Sequence, residues 1–299
     1  MKKELSILIP VYNDVCIECV KRLAALCESR ALRFPDFVYE IVVADDASPD
    51  RKSIEANRSI NNMRNCRFIE KEHNTGSAAT RNFLARESRY QWLLFLDCDM
   101  QIVSDSFIDL YLDNDLQPVI NGGIAIGDGP KDNLRYRYEK ACEERHTAAM
   151  RRQRPYQSFR STNFMAERSL MLSIPFDERF LKSGYEDVML GKQLKVNKIA
   201  IHHIDNPTLM TEFEANGDYL KKIERSLTTL HTFRNELRGY SGFITTDENI
   251  HLGIVKTLIR LWHRLMAPIE RRNLCGRNPN LKVFNLYRIG YYISLTKND

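Results

Sequence analysis

Asp97-Cys98-Asp99 follows the apolar run Trp92-Leu93-Leu94-Phe95-Leu96. In an extended segment, residues i and i+2 point to the same side, roughly 6.6 Å apart at about 3.3 Å per residue. That spacing predicts two carboxylates converging on one face, with Cys98 turned away. Hard oxygen donors suit Mg2+ or Mn2+, ions that keep positions open for phosphate oxygens. Burying two unpaired carboxylates is costly, so a cation partner is expected; the plain alternative is a solvated strand end. Further acidic pairs stand at Asp45-Asp46, which closes an apolar run, and at Glu186-Asp187, which follows the turn-like Gly184-Tyr185.

The elements that must hold these residues are legible from pattern. Ser6–Val11, Tyr39–Ala44, Cys66–Glu70 and Gln91–Leu96 are short apolar runs and read as strands. Asp14–Arg30, Pro49–Met63 and Gly76–Ser88 lie between them with helical periodicity. Continuous apolar strands alternating with helices predict a parallel sheet covered on both faces. Ligands of such sheets lie beyond the carboxyl ends of the strands, where Asp45, Asp46, Asp97 and Asp99 fall. Further along, Pro118–Ile126 reads as a strand, Lys131–Arg152 as a helix, and Arg151–Arg154 as a mobile basic loop. Glu186–Val196 reads as a helix, Ile199–Ile204 as a strand, and Glu212–Arg234 and Ile250–Leu265 as helices.

Absent patterns narrow the chemistry. A dinucleotide-binding turn needs GxGxxG after the first strand, and that position reads PVYNDV; no GxxxxGK[ST] phosphate loop exists either. Cys16, Cys19, Cys27, Cys66, Cys98, Cys142 and Cys275 are an odd, scattered set, consistent with reduced thiols in a cytoplasmic compartment. Cys16 and Cys19 form a CxxC with no second ligand pair, so helix neighbours are the reading. The formal charge of +5 is uneven. Residues 251–299 hold nine Lys/Arg against two Asp/Glu, a net of +7, and the preceding 250 hold 35 against 37. The near-neutral body excludes a general polyanion binder, and no nucleic-acid partner is expected.

Five motifs in order, SILIPVYND, EIVVADDASPD, HNTGSAATRN, WLLFLDCDM and GYEDVMLG, resemble the family 2 glycosyltransferases of the GT-A fold. The similarity covers about residues 5–190 and is looser through HHIDNP. The resemblance implies an α/β fold with a mostly parallel central sheet flanked by helices, followed by a helical, basic C-terminal extension. A GT-A catalytic domain is expected over 1–215, its nucleotide-sugar half over about 1–100 and its acceptor half over about 101–215, with the extension over 216–299. It implies an inverting, metal-dependent transfer from a nucleotide-sugar, a UDP-sugar first, to a saccharide or lipid-linked saccharide acceptor. Pro10, Val11, Tyr12 and Asn13 would line the nucleotide pocket. Asp45 or Asp46 would accept a hydrogen bond from a uracil N3–H. Asn74, Gly76, Arg81 and Asn82 would close around nucleotide and diphosphate. Asp97 and Asp99 would hold Mn2+ or Mg2+ against the diphosphate, with Asp97 also in the nucleotide set. His203, rather than His202, is the preferred further metal ligand. Asp187, paired with Glu186, would be the general base, and a helix N-terminus favours its ionised form.

Processive relatives carry QxxRW and transmembrane helices; Arg260-Leu261-Trp262 lacks that pattern and no apolar run is long enough to span a membrane. A non-processive enzyme is therefore implied. A sugar-nucleotide nucleotidyltransferase would need a glycine-rich basic loop after the first strand. A catalytically inactive binding scaffold would not need both acidic pairs. The tail alternates apolar Leu252, Ile254, Val255, Leu258, Ile259, Leu261, Trp262 and Leu265 with Lys256, Arg260, His263 and Arg264. It reads either as a peripheral contact with an anionic membrane, at its inner face, or as a packing face against the catalytic domain or a second subunit.

Overall fold

The computed structural model describes residues 1–116, 118–181, 184–251 and 253–296. Its first elements are β1 (Glu4–Val11), α1 (Ile17–Arg33), β2 (Val38–Asp45), α2 (Arg51–Arg58), β3 (Cys66–Glu70), α3 (Gly76–Glu87) and β4 (Trp92–Leu96). Next come β5 (Met100–Gln101), α4 (Phe107–Leu112), β6 (Val119–Asn121), β7 (Ile124–Ile126), α5 (Leu134–Cys142) and α6 (Ala148–Gln153). They are followed by β8 (Asn163–Glu167), α7 (Arg168–Ser173), α8 (Glu186–Val196), β9 (Ile201–His203) and β10 (Thr208–Met210). The chain closes with α9 (Asn216–Thr232), α10 (Gly242–Asn249), α11 (Gly253–Leu274) and α12 (Leu281–Leu295). Two compact units result: Met1–Ala125 with Arg145–Thr211, and Ile126–Glu144 with Glu212–Asp299.

In the first unit a seven-stranded sheet runs in the order β3-β2-β1-β4-β8-β6-β9. The strands from β3 to β4 are parallel, and β8 is antiparallel to both of its neighbours. Ile7, Ile9, Ile41, Val43 and Leu94 are fully buried and pack with Val20, Leu23 and Cys27 of α1. Burial on both faces is why these strands read as unbroken apolar runs. Register sets the site: Val11 pairs with Asp45, and Asp45 with Glu70, so three strands end level.

Irregular stretches depart from the pattern for local reasons. Pro118–Ile126 is two strands, not one, because Gly122-Gly123 turns the chain between β6 and β7. Gly123 has φ +89, and a Cβ there would lie 2.5 Å from the Arg151 guanidinium. Lys131–Arg152 is not one helix: α5 passes into a tight turn at Glu143–His146, and Thr147 caps α6 by accepting from the Met150 N–H. Arg151 is therefore no part of a mobile loop; it is helical and 4% exposed. Nor is α11 a helix ending at Leu265, since it continues through Pro268 to Leu274. In the second unit, Leu134, Tyr219, Leu220, Leu274, Phe284 and Tyr287 form a separate core.

Candidate active site

At the level ends of β1 and β2 the backbone folds back on itself. Pro10 and Val11 complete β1, Tyr12 leaves an exposed ring, and Asn13 takes a left-handed φ of 55°. The Asn13 N–H donates to Ser48 Oγ at 2.8 Å, and Asn13 Oδ1 accepts from the Asp50 N–H at 3.3 Å. Asp45 accepts from the Ser48 N–H at 2.8 Å and from its hydroxyl at 2.5 Å. Asp46 takes Lys71 Nζ at 2.5 Å, the Thr75 N–H at 3.0 Å and the Gly76 N–H at 2.8 Å. Burial alone would raise its carboxyl, yet the Lys71 ammonium, the Thr75 N–H and the Thr80 hydroxyl hold it below the usual range. Asn74 Nδ2 donates to the Asp46 carbonyl at 3.0 Å, so the Asn74–Gly76 stretch closes over Asp46. Gly76 is required there: its φ is +86, and a Cβ would lie 2.6 Å from the Leu181 carbonyl oxygen.

A second acidic group gathers around Arg81. This guanidinium is 4% exposed; it donates to Asp97 at 2.6 Å and lies 3.6 Å from Glu186. Its Nε and Nη1 have no hydrogen-bond partner among the described residues. Asp97 sits directly after β4, with its N–H on the Thr162 carbonyl at 3.0 Å. Cys98 and Asp99 form a turn, so the extended i, i+2 geometry expected for the two aspartates does not apply. Cys98 nonetheless stays with the carboxylates: burial first, then Asp14 and Asp99, pushes its thiol well up. Asn82 turns to the protein itself, donating to the Phe176 carbonyl and to Glu178, both at 2.9 Å.

Glu186 and Asp187 open α8. Tyr185, just before them, has φ 70°, which lets the helix start abruptly. Glu186 accepts from the Gly184 N–H at 2.6 Å and from the Ser77 hydroxyl at 3.0 Å. The Val188 N–H donates to Asp187 at 2.7 Å. Burial, and then the neighbouring Glu186 charge, pushes the Asp187 carboxyl up to about 7 against the opposing pull of Arg160, the Val188 N–H and Arg81. Behind it, Gly191 packs so tightly on the Tyr156 carbonyl that no Cβ fits.

His203 is 2% exposed and both its ring nitrogens are engaged. Nε2 donates to the Pro155 carbonyl at 2.9 Å, which leaves Nδ1 to accept from Arg151 at 2.9 Å. Neither nitrogen is open to a metal in this arrangement. Burial pushes the ring down to about 4. Arg151 also donates to the carbonyls of Asn121, Gly122 and Ile204. Burial pushes its guanidinium down to about 10. Among the described residues, no group of three His, Cys, Asp or Glu is placed to hold a metal ion. Ser48, Lys71, Thr75, Ser77, Thr80 and Arg160 are among the polar groups around these carboxylates that the motifs did not single out. Ser48 had a signal, the Asp-x-x-Ser spacing of a turn; Lys71, next to the strand end at Glu70, had only its position.

Comparison with known proteins names the family. The description "Glycosyl transferase family 2" matches residues 6–174. The chain belongs to glycosyltransferase family 2. Escherichia coli chondroitin synthase is 34% identical over 97 residues, 32% of this chain and 13% of the relative. The poly(ribitol-phosphate) beta-glucosyltransferase of Bacillus spizizenii is 32% identical over 111 residues, 36% of this chain and 17% of the relative. The chain thus aligns with well under two thirds of either relative. Among solved structures, S. aureus TarS 1-349 aligns with a TM-score of 0.53 at 18% identity, over 100% of this chain and 91% of that one. The Pyrobaculum calidifontis mannosyltransferase PcManGT aligns with a TM-score of 0.58 at 12% identity, over 100% and 87%. The fold is the expected GT-A arrangement, a mostly parallel sheet flanked by helices. This family 2 chain has, among its described residues, no helix long and apolar enough to cross a membrane.

Proposed function

We propose that the chain transfers a sugar from a nucleotide-sugar, a UDP-sugar first, to a hydroxyl of a saccharide or lipid-linked saccharide acceptor, inverting the anomeric carbon. The observation that carries this reading is the crowding of carboxylates on one guanidinium: Asp97 and Glu186 touch Arg81, and Asp187 lies within its field. S. aureus TarS has been crystallised with UDP and with UDP-GlcNAc, and PcManGT with GDP-Man and Mn2+. Both support a nucleotide-sugar donor here.

The donor set of the acidic turn suits a divalent ion in chemistry. Asp97 and Asp99 offer hard oxygen donors, and Asp97, Glu186 and Asp187 gather around the buried Arg81. Asp97 and Asp99 would hold the ion, whose remaining positions Mg2+ and Mn2+ would leave to donor phosphates and water. Bound there, such an ion would supply positive charge against the charge that builds on the leaving diphosphate. His203 enters this proposal as a brace between β9 and Arg151 rather than as a ligand.

The residues divide the remaining work. Tyr12, Asn13 and the braced Asp45 and Asp46 shape the nucleotide end, and either carboxylate suits a uracil N3–H because it only accepts. Arg81 holds Asp97 and Glu186 in place. Asp187, with a carboxyl near neutrality, takes the proton from the acceptor hydroxyl as that oxygen attacks opposite the diphosphate. A panel of UDP- and GDP-sugars with Mn2+, read by thermal shift and by sugar release, tests the reading. UDP-sugars should stabilise the protein and be slowly hydrolysed. No response to any nucleotide-sugar sinks the proposal, and a response indifferent to EDTA removes its metal.

A further inference from the structure

The second unit turns an apolar stripe outward. On α11, Ile254 is 74% exposed, Leu258 61%, Leu261 52%, Trp262 47%, Leu265 64% and Ile269 61%. Steps of three and four residues stack them on one face of the helix. Leu252, which would extend the pattern, lies outside the described residues. The inward side holds polar groups beside the core residue Leu274. His263 and Glu270 are buried, Arg260 donates to the Ile293 carbonyl and the Thr296 hydroxyl, and Lys256 pairs with Asp247. A contiguous exposed apolar face of this kind marks an interaction surface.

Charge identifies the occupant. Arg271 is spent on Glu224 and Tyr287, whereas Arg264, Arg272, Arg277 and Lys282 are exposed. Arg264 follows Leu261 by three residues and Arg272 follows Ile269 by three, so both border the stripe. Over the described residues 253–296 the sole carboxylate is Glu270, and it is 5% exposed. A second copy would meet this face with like charges and no acid to answer them. An anionic lipid surface answers every part: acyl chains receive the leucines and isoleucines, the boundary suits the Trp262 ring, and phosphates receive the arginines. We propose that α11 lies flat on an anionic membrane surface and docks the protein there through this stripe and its bordering cations. The proposal is independent of the donor and of the transfer chemistry.

Flotation of the full chain tests it, with vesicles of phosphatidylcholine alone and of phosphatidylcholine mixed with phosphatidylglycerol. The chain should float with the mixed vesicles and stay behind with the neutral ones. Leu258→Glu with Leu265→Glu should lower the partition by about tenfold or more. Arg264→Ala with Arg272→Ala should lower it by roughly tenfold, and high salt should act the same way. Circular dichroism and UDP-sugar hydrolysis should be unchanged in all variants, which separates lost docking from lost folding. Absence of flotation, equal binding to neutral vesicles, or unchanged binding of the Leu258→Glu, Leu265→Glu variant overturns the proposal. Dimerisation seen by light scattering, abolished by that variant and unaccompanied by flotation, overturns it in favour of a second copy.

Discussion

The two acidic regions at the strand ends solve the same problem differently. Asp46 is buried with a lysine and two backbone N–H groups of its own, and its carboxyl titrates low. Around Arg81, by contrast, Asp97, Glu186 and Asp187 crowd together, and Asp187 titrates high despite the pull of Arg160 and Arg81. Matched charge makes a rigid bracket; unmatched charge makes a place where a cation or a proton changes the energy. The first region is built to hold shape and the second to exchange charge.

Several measurements can break that contrast. The largest effect is expected from Asp187→Asn: turnover should fall by about a hundredfold or more, the scale of a lost general base, with UDP affinity kept. The same change should raise the melting temperature, more at pH 8 than at pH 5. A carboxyl shifted up to about 7 weakens the folded state as pH rises from the ordinary carboxylate range through that value, and Asn removes the cost. Unchanged turnover, or a gain largest in acid, would put Asp187 on the structural side.

Lys71→Met should cost about 3 kcal/mol, because it strands a buried carboxylate. Since the Asp46 carboxyl is held low, its contribution is present above the ordinary carboxylate range and fades as pH falls through the lowered value. The gap between variant and parent in thermal melts should therefore narrow in acid. A uniform gap would mean that Lys71 acts by packing alone.

Asp97→Ala should weaken Mn2+-dependent UDP binding by roughly tenfold, the scale of one lost interaction with a charged group. Calorimetry with and without EDTA reads this directly, and equal affinities would leave the acidic turn without a cation. The smallest effect is a displacement along the pH axis. The kcat profile should rise through about pH 7, and Glu186→Gln should move that limb toward acid by removing the negative neighbour. A stationary limb would detach the profile from Asp187.

What the chain discloses without coordinates follows from how local each feature is. Cys66–Glu70 coincides with β3, and β1, β2 and β4 differ from their apolar runs by one or two residues at an end, because two-sided burial writes a continuous signal. β8 is missed: Asn163–Glu167 is short, and only pairing with β4 and β6 makes it a strand. The acidic motifs were visible, but their geometry was not. The turn at Cys98-Asp99 and the bridge from Arg81 to Glu186, more than a hundred residues apart in the chain, are tertiary facts. Arg151 shows the same limit, since a basic run looks solvated until its carbonyl acceptors are assembled around it.

The seat of Gly191 on Tyr156 bears on protein engineering. Because α8 rests on that carbonyl with no room for a side chain, the Tyr156–Phe159 stretch and the helix that carries Asp187 form a single joint. Libraries that randomise the exposed Gln153 and Arg154 leave that joint untouched. Insertions or deletions in 155–160 would instead drag the carboxylate with them, so such libraries would be dominated by dead clones rather than by altered preferences.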